Sequence, residues 1–358
     1  MDDGLAQALL ACGVTLVEWQ GLHLPAHFGD VGREWRAARE GAAVFDASFR
    51  TLLAASGEDR VAFLQGMLSN DVKALAAGQG VYAALLNQQG KVVSDLRVYA
   101  EAQRLLLDVP AWRATLLRES LERFLVADDV ELTVPLDCQP LLGLEGPLAV
   151  AVAGEALGVE ALPAAPLAHS RVAFEGQPIL VVCVSQVERQ GLLLCGPAAA
   201  AGPLFDACRE AGALPAGMRA LDVLRVEAGA AWAGLDMDEN TLIQETGRDA
   251  ALSFSKGCYL GQEVVERVAA RGHVNRHLGG LVLAGDRLPA PGAPLLADGR
   301  EVGYVSSAVH SEALGRPIAL AMIHRKHSAA GQQVTTQVDG APVPATVAAL
   351  PFDPAAIS

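Results

Sequence analysis

The stretch KGCYLGQEVVERV, Lys256 to Val268, sets a cysteine between a glycine and an aromatic residue, just ahead of a charged amphipathic segment. Gly261 reads as the cap of a helix whose apolar stripe is Val264, Val265, Val268 and Ala269. A helix N-terminus carries partial positive charge, and Lys256 adds a full one. Both favour the thiolate of Cys258 over a thiol whose free pKa is about 8.5. The competing reading is a small apolar filler in a tight turn. Arg267, Arg271, His273, Arg276 and His277 form the densest basic cluster of the chain. Such a cluster suits a carboxylate tail or a phosphate, or else a solvated linker.

The other chemistry-bearing types do not assemble into known metal spacings. The six cysteines are scattered, and none forms a CxxC pair. That excludes the usual zinc and iron–sulfur spacings, so no bound metal is expected. His23 and His27 are separated by Pro25, and the His273/His277 and His324/His327 pairs lie among basic residues. No phosphate-cradling glycine loop or nucleophile elbow occurs. The net charge is -14, which disfavours a nucleic-acid surface. No window offers the roughly 20 unbroken apolar residues of a membrane helix. The start, MDDGLAQALL, lacks a basic n-region, and the cytoplasm is the expected location.

The elements that must position these residues fall into three stretches. The chain of 358 residues is long enough for two or three cores. Residues 1–45 read as helical, with a break at Leu24-Pro25. A helix follows Ser56-Gly57-Glu58-Asp59, with Val61, Phe63, Leu64, Met67 and Leu68 apolar. Strands are expected over 81–86, 91–99 and 105–109, and a helix from Pro110 to about Leu125. From about 130 to 200 the style repeats, with strands at 141–144, 171–174, 179–184 and 191–195. The Pro- and Ala-rich span 154–168 reads as surface loop. Helices are expected over 201–212 and 219–227. After Arg276, strands at 278–283, 303–308, 318–323, 334–338 and 343–350 alternate with Pro/Gly turns, which predicts a small all-β barrel or sandwich. The fold class is therefore α+β, with two plaited α/β regions (1–135 and 136–275, exchanging segments) and a C-terminal antiparallel β-barrel (276–358).

KGCYLGQE resembles the signature of the YgfZ-type folate-binding proteins. These belong to the superfamily that includes the aminomethyltransferase, or T-protein, of the glycine cleavage system. Three further blocks are similar to that superfamily: Val44 to Val72, Gly80 to Tyr99, and Leu224 to Asp238. The resemblance implies three domains around a central pocket for tetrahydrofolate. It implies that Glu227, in Arg225-Val-Glu-Ala-Gly229, meets the pterin, since a carboxylate accepts paired N–H bonds from a 2-amino-pyrimidinone edge. It places Asp95 at the catalytic acid of the transferases, where Ser94-Asp95 stands for a doubled acid. Tyr82 and Tyr99, on flanking strands, are the candidates to stack on the ligand, or else they are core. With Arg225, Lys256 and Arg267 they complete the expected cofactor-binding set.

The YgfZ signature implies a tetrahydrofolate-dependent role in assembly or repair of iron–sulfur clusters in client enzymes, with Cys258 as the key thiol. The alternatives are a folate-dependent aminomethyltransferase acting through Asp95, and a folate-gated adaptor without chemistry. The partners implied are folate and iron–sulfur client proteins, with neither nucleic acid nor membrane.

Overall fold

The computed structural model describes residues 3–355, so Met1 and Asp2 of the acidic start lie outside the described residues. The chain divides into two compact units. The first runs up to Leu85 and adds Ser94–Leu221 and Ser255–Tyr259. The second comprises Leu86–Val93, Asp222–Phe254 and everything from Leu260 onward.

The first unit contains two sheets. One has five strands in the order Gly80–Leu86, Val92–Ala100, Leu105–Pro110, Arg50–Ser56 and Glu131–Thr133. The other has six, in the order His169–Phe174, Gln177–Cys183, Gly191–Gly196, Gln139–Glu145, Ala43–Asp46 and Leu214–Pro215. Only the last pair of that sheet is parallel. Consecutive strands Ala43–Asp46 and Arg50–Ser56 belong to different sheets, so the two plaits exchange chain near the start.

Period-two alternation sends Val44, Leu142, Leu144, Ile179, Val181, Leu192 and Leu194 to one face of the six-stranded sheet. The helices Asp3–Ala11, Ala149–Leu157 and Ala201–Glu210 cover that face with Leu5, Leu9, Val152, Leu204 and Phe205. Each such side chain, fully buried, is worth about 1.5–3 kcal/mol relative to exposure. Gly143 pairs with Phe45 across the strands. A Cβ at Gly143 would lie 2.0 Å from the Phe45 ring, so only glycine admits the aromatic there.

The second unit holds a closed antiparallel barrel in the order Arg276–Leu283, Arg316–His324, Arg300–Ser311, Pro294–Ala297, Gln333–Val338 and Ala341–Ala348. Closure leaves no edge strand unpaired. Leu281, Leu295, Val305, Ala319, Ala321, Ile323, Val334, Ala345 and Val347 fill the interior, with alanines where large residues would not fit so few strands. Among the described residues no helix is long and apolar enough to cross a membrane.

The α+β class, with two α/β sheets and a barrel, stands as read from the sequence. Several elements differ: Ala43–Asp46, ending the stretch expected helical, and Arg50–Ser56, Glu131–Thr133 and Leu214–Pro215, not expected, are strands. Residues 15–27, expected helical, form a hairpin, Thr15–Trp19 with Leu22–His27. Gln20 and Gly21 both take positive φ, 50° and 78°, the two-residue turn that matches strand twist. Part of the expected loop is a helix, Ala149–Leu157, because its alanines carry high intrinsic propensity. The barrel also gains the short strand Pro294–Ala297, which two prolines on its N-terminal side had masked.

Candidate active site

Asp95 lies on the strand Val92–Ala100, and Tyr82 lies on its neighbour Gly80–Leu86. The Tyr82 hydroxyl donates to Asp95 Oδ2 at 2.8 Å. Asp95 Oδ1 is buried and has no hydrogen-bond partner. A carboxylate oxygen shielded from water and left without a donor costs about 1–3 kcal/mol or more. It therefore marks a place where an incoming N–H or O–H group would be accepted. Ser94, the residue in place of the second acid, turns its hydroxyl to the Asp95 carbonyl at 2.8 Å.

Tyr82 is itself held from behind. Asn70 Nδ2 donates to the Tyr82 carbonyl at 2.9 Å. Lys256 Nζ donates to the Asn70 carbonyl at 2.9 Å, and to those of Gln65 and Leu68 at 2.6 Å each. Thus Tyr82, Asp95 and Lys256 of the expected set belong to one hydrogen-bonded system. Asn70, just past the end of the helix Arg60–Met67, links them.

Other members of the expected set are used inside the protein. Tyr99 stands on Asp95's own strand rather than a flanking one, and it is fully buried. Its hydroxyl donates to Asp108 Oδ2 at 2.7 Å, so it has no face free for a stacked ring. Asp108 also receives Arg50 Nε at 2.8 Å and Arg97 at 3.1 Å, and these two cations hold its carboxyl below the usual range against the pull of burial. An acid inside the apolar run Leu105–Val109 was the available cue to this network.

Arg225, 2% exposed, is likewise internal. It donates to Asp222 at 2.7 Å, to Asp236 at 2.7 Å and to Ser307 at 2.8 Å, and it lies over the Trp232 ring. Glu227, 5% exposed, is tied to the barrel through one carboxylate oxygen. Its Oε1 accepts from Ser311 Oγ at 2.7 Å and from the Ala313 amide at 3.1 Å, and its carbonyl accepts from Phe352. It fastens the turn that ends the longest barrel strand. Glu227→Ala is expected to lower stability by about 1–3 kcal/mol, as read by thermal melting. Cys258 and Arg267 are exposed.

A second buried acid, unmarked in the sequence, closes the network around Arg97. Glu145 accepts the Gln186 amide at 2.6 Å and Ser185 Oγ at 2.7 Å, while Arg97 binds Gln186 Oε1 at 3.0 Å. Burial pushes its carboxyl up to about 8. The folded chain then keeps a proton that the unfolded chain releases above about 4.5. Stability is therefore lost as pH rises from about 4.5 to about 8. Glu145→Gln should melt with wild type at pH 5 and above it at pH 8.5, as read by thermal denaturation across pH.

With the geometry in hand, two domain families match the chain. The GCVT N-terminal domain matches residues 5–256, and the glycine cleavage T-protein C-terminal barrel domain matches residues 276–353. The chain belongs to the glycine cleavage T-protein family. A T-protein relative from Nostoc sp., named aminomethyltransferase, is 29% identical over 344 residues, covering 94% of this chain and 91% of the relative. An aminomethyltransferase from Exiguobacterium sibiricum is 31% identical over 316 residues, 87% of each chain. The crystal structure of glycine cleavage system aminomethyltransferase T from Bartonella henselae superposes with a TM-score of 0.89. At 23% identity over 98% of this chain and 97% of that one, it shares the T-protein fold.

These matches overturn the iron–sulfur expectation. Relatives aligned over nearly the whole chain are named aminomethyltransferases, and nothing in these relatives singles out the YgfZ group. The short string around Cys258 had outweighed blocks that cover far more of the sequence.

Proposed function

We propose that the chain is a folate-dependent aminomethyltransferase, acting in the cytoplasm. It moves an aminomethyl unit from the sulfur of a dihydrolipoyl-type carrier to tetrahydrofolate. The C–S bond breaks and the sulfur leaves as a thiol. The amine leaves as ammonia, and the carbon ends as a methylene group on folate nitrogen.

The observation that carries this reading is the buried, unpartnered Oδ1 of Asp95, in a chain whose full-length relatives are named for this transfer. A reduced folate presents N–H donors, and Asp95 Oδ1 is an acceptor with nothing else to accept, so the residues fit the ligand. Tetrahydrofolate supplies the nucleophilic nitrogens. Asp95 orients such an N–H and takes its proton as the nitrogen becomes positive. Tyr82 fixes Oδ2 and thereby the direction in which Oδ1 faces.

The test is an incubation of the chain with an aminomethyl-dihydrolipoyl carrier protein and tetrahydrofolate, following ammonia and methylene-tetrahydrofolate. Product that requires all three components is expected. Ammonia release no faster than without the chain would overturn the reading.

A further inference from the structure

We propose that Lys256 is a positioning residue for Asp95, acting through the segment Leu68–Asn70 and the strand that carries Tyr82. The proposal deepens the transferase reading and rests on it only for its kinetic readout. It also gives a task to the lysine of KGCYLGQE, which the transfer chemistry itself does not use.

The helix Arg60–Met67 ends with carbonyls that its own turns cannot satisfy. The Lys256 ammonium takes the carbonyls of Gln65, Leu68 and Asn70 at 2.6, 2.6 and 2.9 Å. Three bonds use the three N–H groups an ammonium owns. The segment so held is stitched to the Tyr82 strand. The Ser69 amide donates to the Ala84 carbonyl at 3.0 Å, and the Ala84 amide donates to Ser69 Oγ at 2.8 Å. Asn70 Nδ2 then takes the Tyr82 carbonyl, and the Tyr82 hydroxyl takes Asp95 Oδ2. Lys256 is 8% exposed, so water does not substitute for it.

Among the described residues, Asp71, whose charge favours the ammonium, and Tyr259, whose ring lies 5.1 Å from Nζ, face Lys256. Burial pulls the ammonium down to about 8. Above that pH the charge and one of three N–H donors are lost, and the grip on the segment loosens.

The chain has four tyrosines, so ring-labelled ¹³Cζ-tyrosine gives four resonances, with Tyr82 assigned by Tyr82→Phe. In Lys256→Met the Tyr82 resonance is expected to shift while that of Tyr99 stays. In Lys256→Arg it is expected to return toward its original position. The kcat for transfer is expected to fall about 10- to 100-fold in Lys256→Met with KM for tetrahydrofolate little changed. The wild-type basic limb near pH 8 is expected to vanish in Lys256→Arg, which keeps its charge.

A Tyr82 resonance that stays in place in folded Lys256→Met, while Tyr259 responds, overturns the proposal. Should Lys256→Met not fold, Asn70→Ala cuts the same link downstream, and an unmoved Tyr82 resonance there overturns it equally. If the wild type transfers nothing but Tyr82 responds as expected, the positioning stands and the transferase reading falls.

Discussion

Asp95→Asn is expected to slow aminomethyl transfer by about 10²- to 10⁴-fold, the usual worth of a positioned proton acceptor. The amide is nearly the same size, so the strand and its neighbours have no steric reason to move. Tyr82 can still donate to the amide oxygen that replaces Oδ2. What the substitution removes is the negative charge and the basicity of Oδ1, the oxygen that has no partner inside the protein. Because that oxygen is buried at a cost, its replacement is also expected to leave stability unchanged or raise it slightly. Loss of rate together with an unchanged or higher Tm is the combined result to look for. Single-turnover kinetics and thermal melting of one preparation supply both readouts. A variant that transfers normally would move the chemistry away from this carboxylate.

Arg225→Ala carries the largest expected effect on folding. The side chain is buried and pairs with the partly exposed Asp222 and the fully buried Asp236, which also accepts Ser306 Oγ at 2.6 Å, Ser307 Oγ at 2.7 Å and the Trp232 amide at 3.0 Å. Removing the cation leaves a buried and a half-shielded carboxylate with their common counter-charge gone. Breaking one side of a buried ion network costs about 3–5 kcal/mol, and a fall in Tm on the order of 10 °C follows. Burial already holds the Asp222 carboxyl above the usual range, with Arg225 pulling it back. Without that pull the acid protonates more readily. The deficit should therefore shrink as pH is lowered toward 5, where a neutral acid replaces an unpaired charge. Arg225→Lys is expected to recover only part of the loss, because one ammonium cannot match the fork that meets Asp222, Asp236 and Ser307 together. Urea denaturation at pH 5 and pH 8 measures these differences.

What could be read from the sequence depended on how local the cause was. The barrel strands declare themselves by alternation and by Pro/Gly turns. Gly261 announces the helix Gln262–Arg271 by standing at its cap with φ of 82°. Asp95 was found through the resemblance of its block, and Tyr82 through its nearness on the next strand. Glu227 and Arg225 were assigned to the ligand through the resemblance of their block, and the structure adds partners for both within the protein. Their partners, Ser311 and Ser307, lie more than eighty residues away, and no local pattern connects them. Lys256 was read as a neighbour of Cys258, whereas its ammonium is taken by carbonyls more than 180 residues earlier in the chain. Tyr99 differs from Tyr82 only in what lies beneath it. Asp108 supplies the acceptor, and a strand-by-strand reading sees the two tyrosines as alike. The hairpin at residues 15–27 was missed for a different reason, since its turn depends on a non-glycine residue, Gln20, taking positive φ.

The most direct measurement sets Asp95→Ala beside Cys258→Ala in the same single-turnover transfer experiment at saturating tetrahydrofolate. The exposed thiol is expected to be dispensable, with Cys258→Ala within about twofold of wild type and Asp95→Ala slower by about 100-fold or more. The opposite order, with transfer surviving the loss of the carboxylate and failing without the sulfur, would contradict the assignment of the chemistry to Asp95.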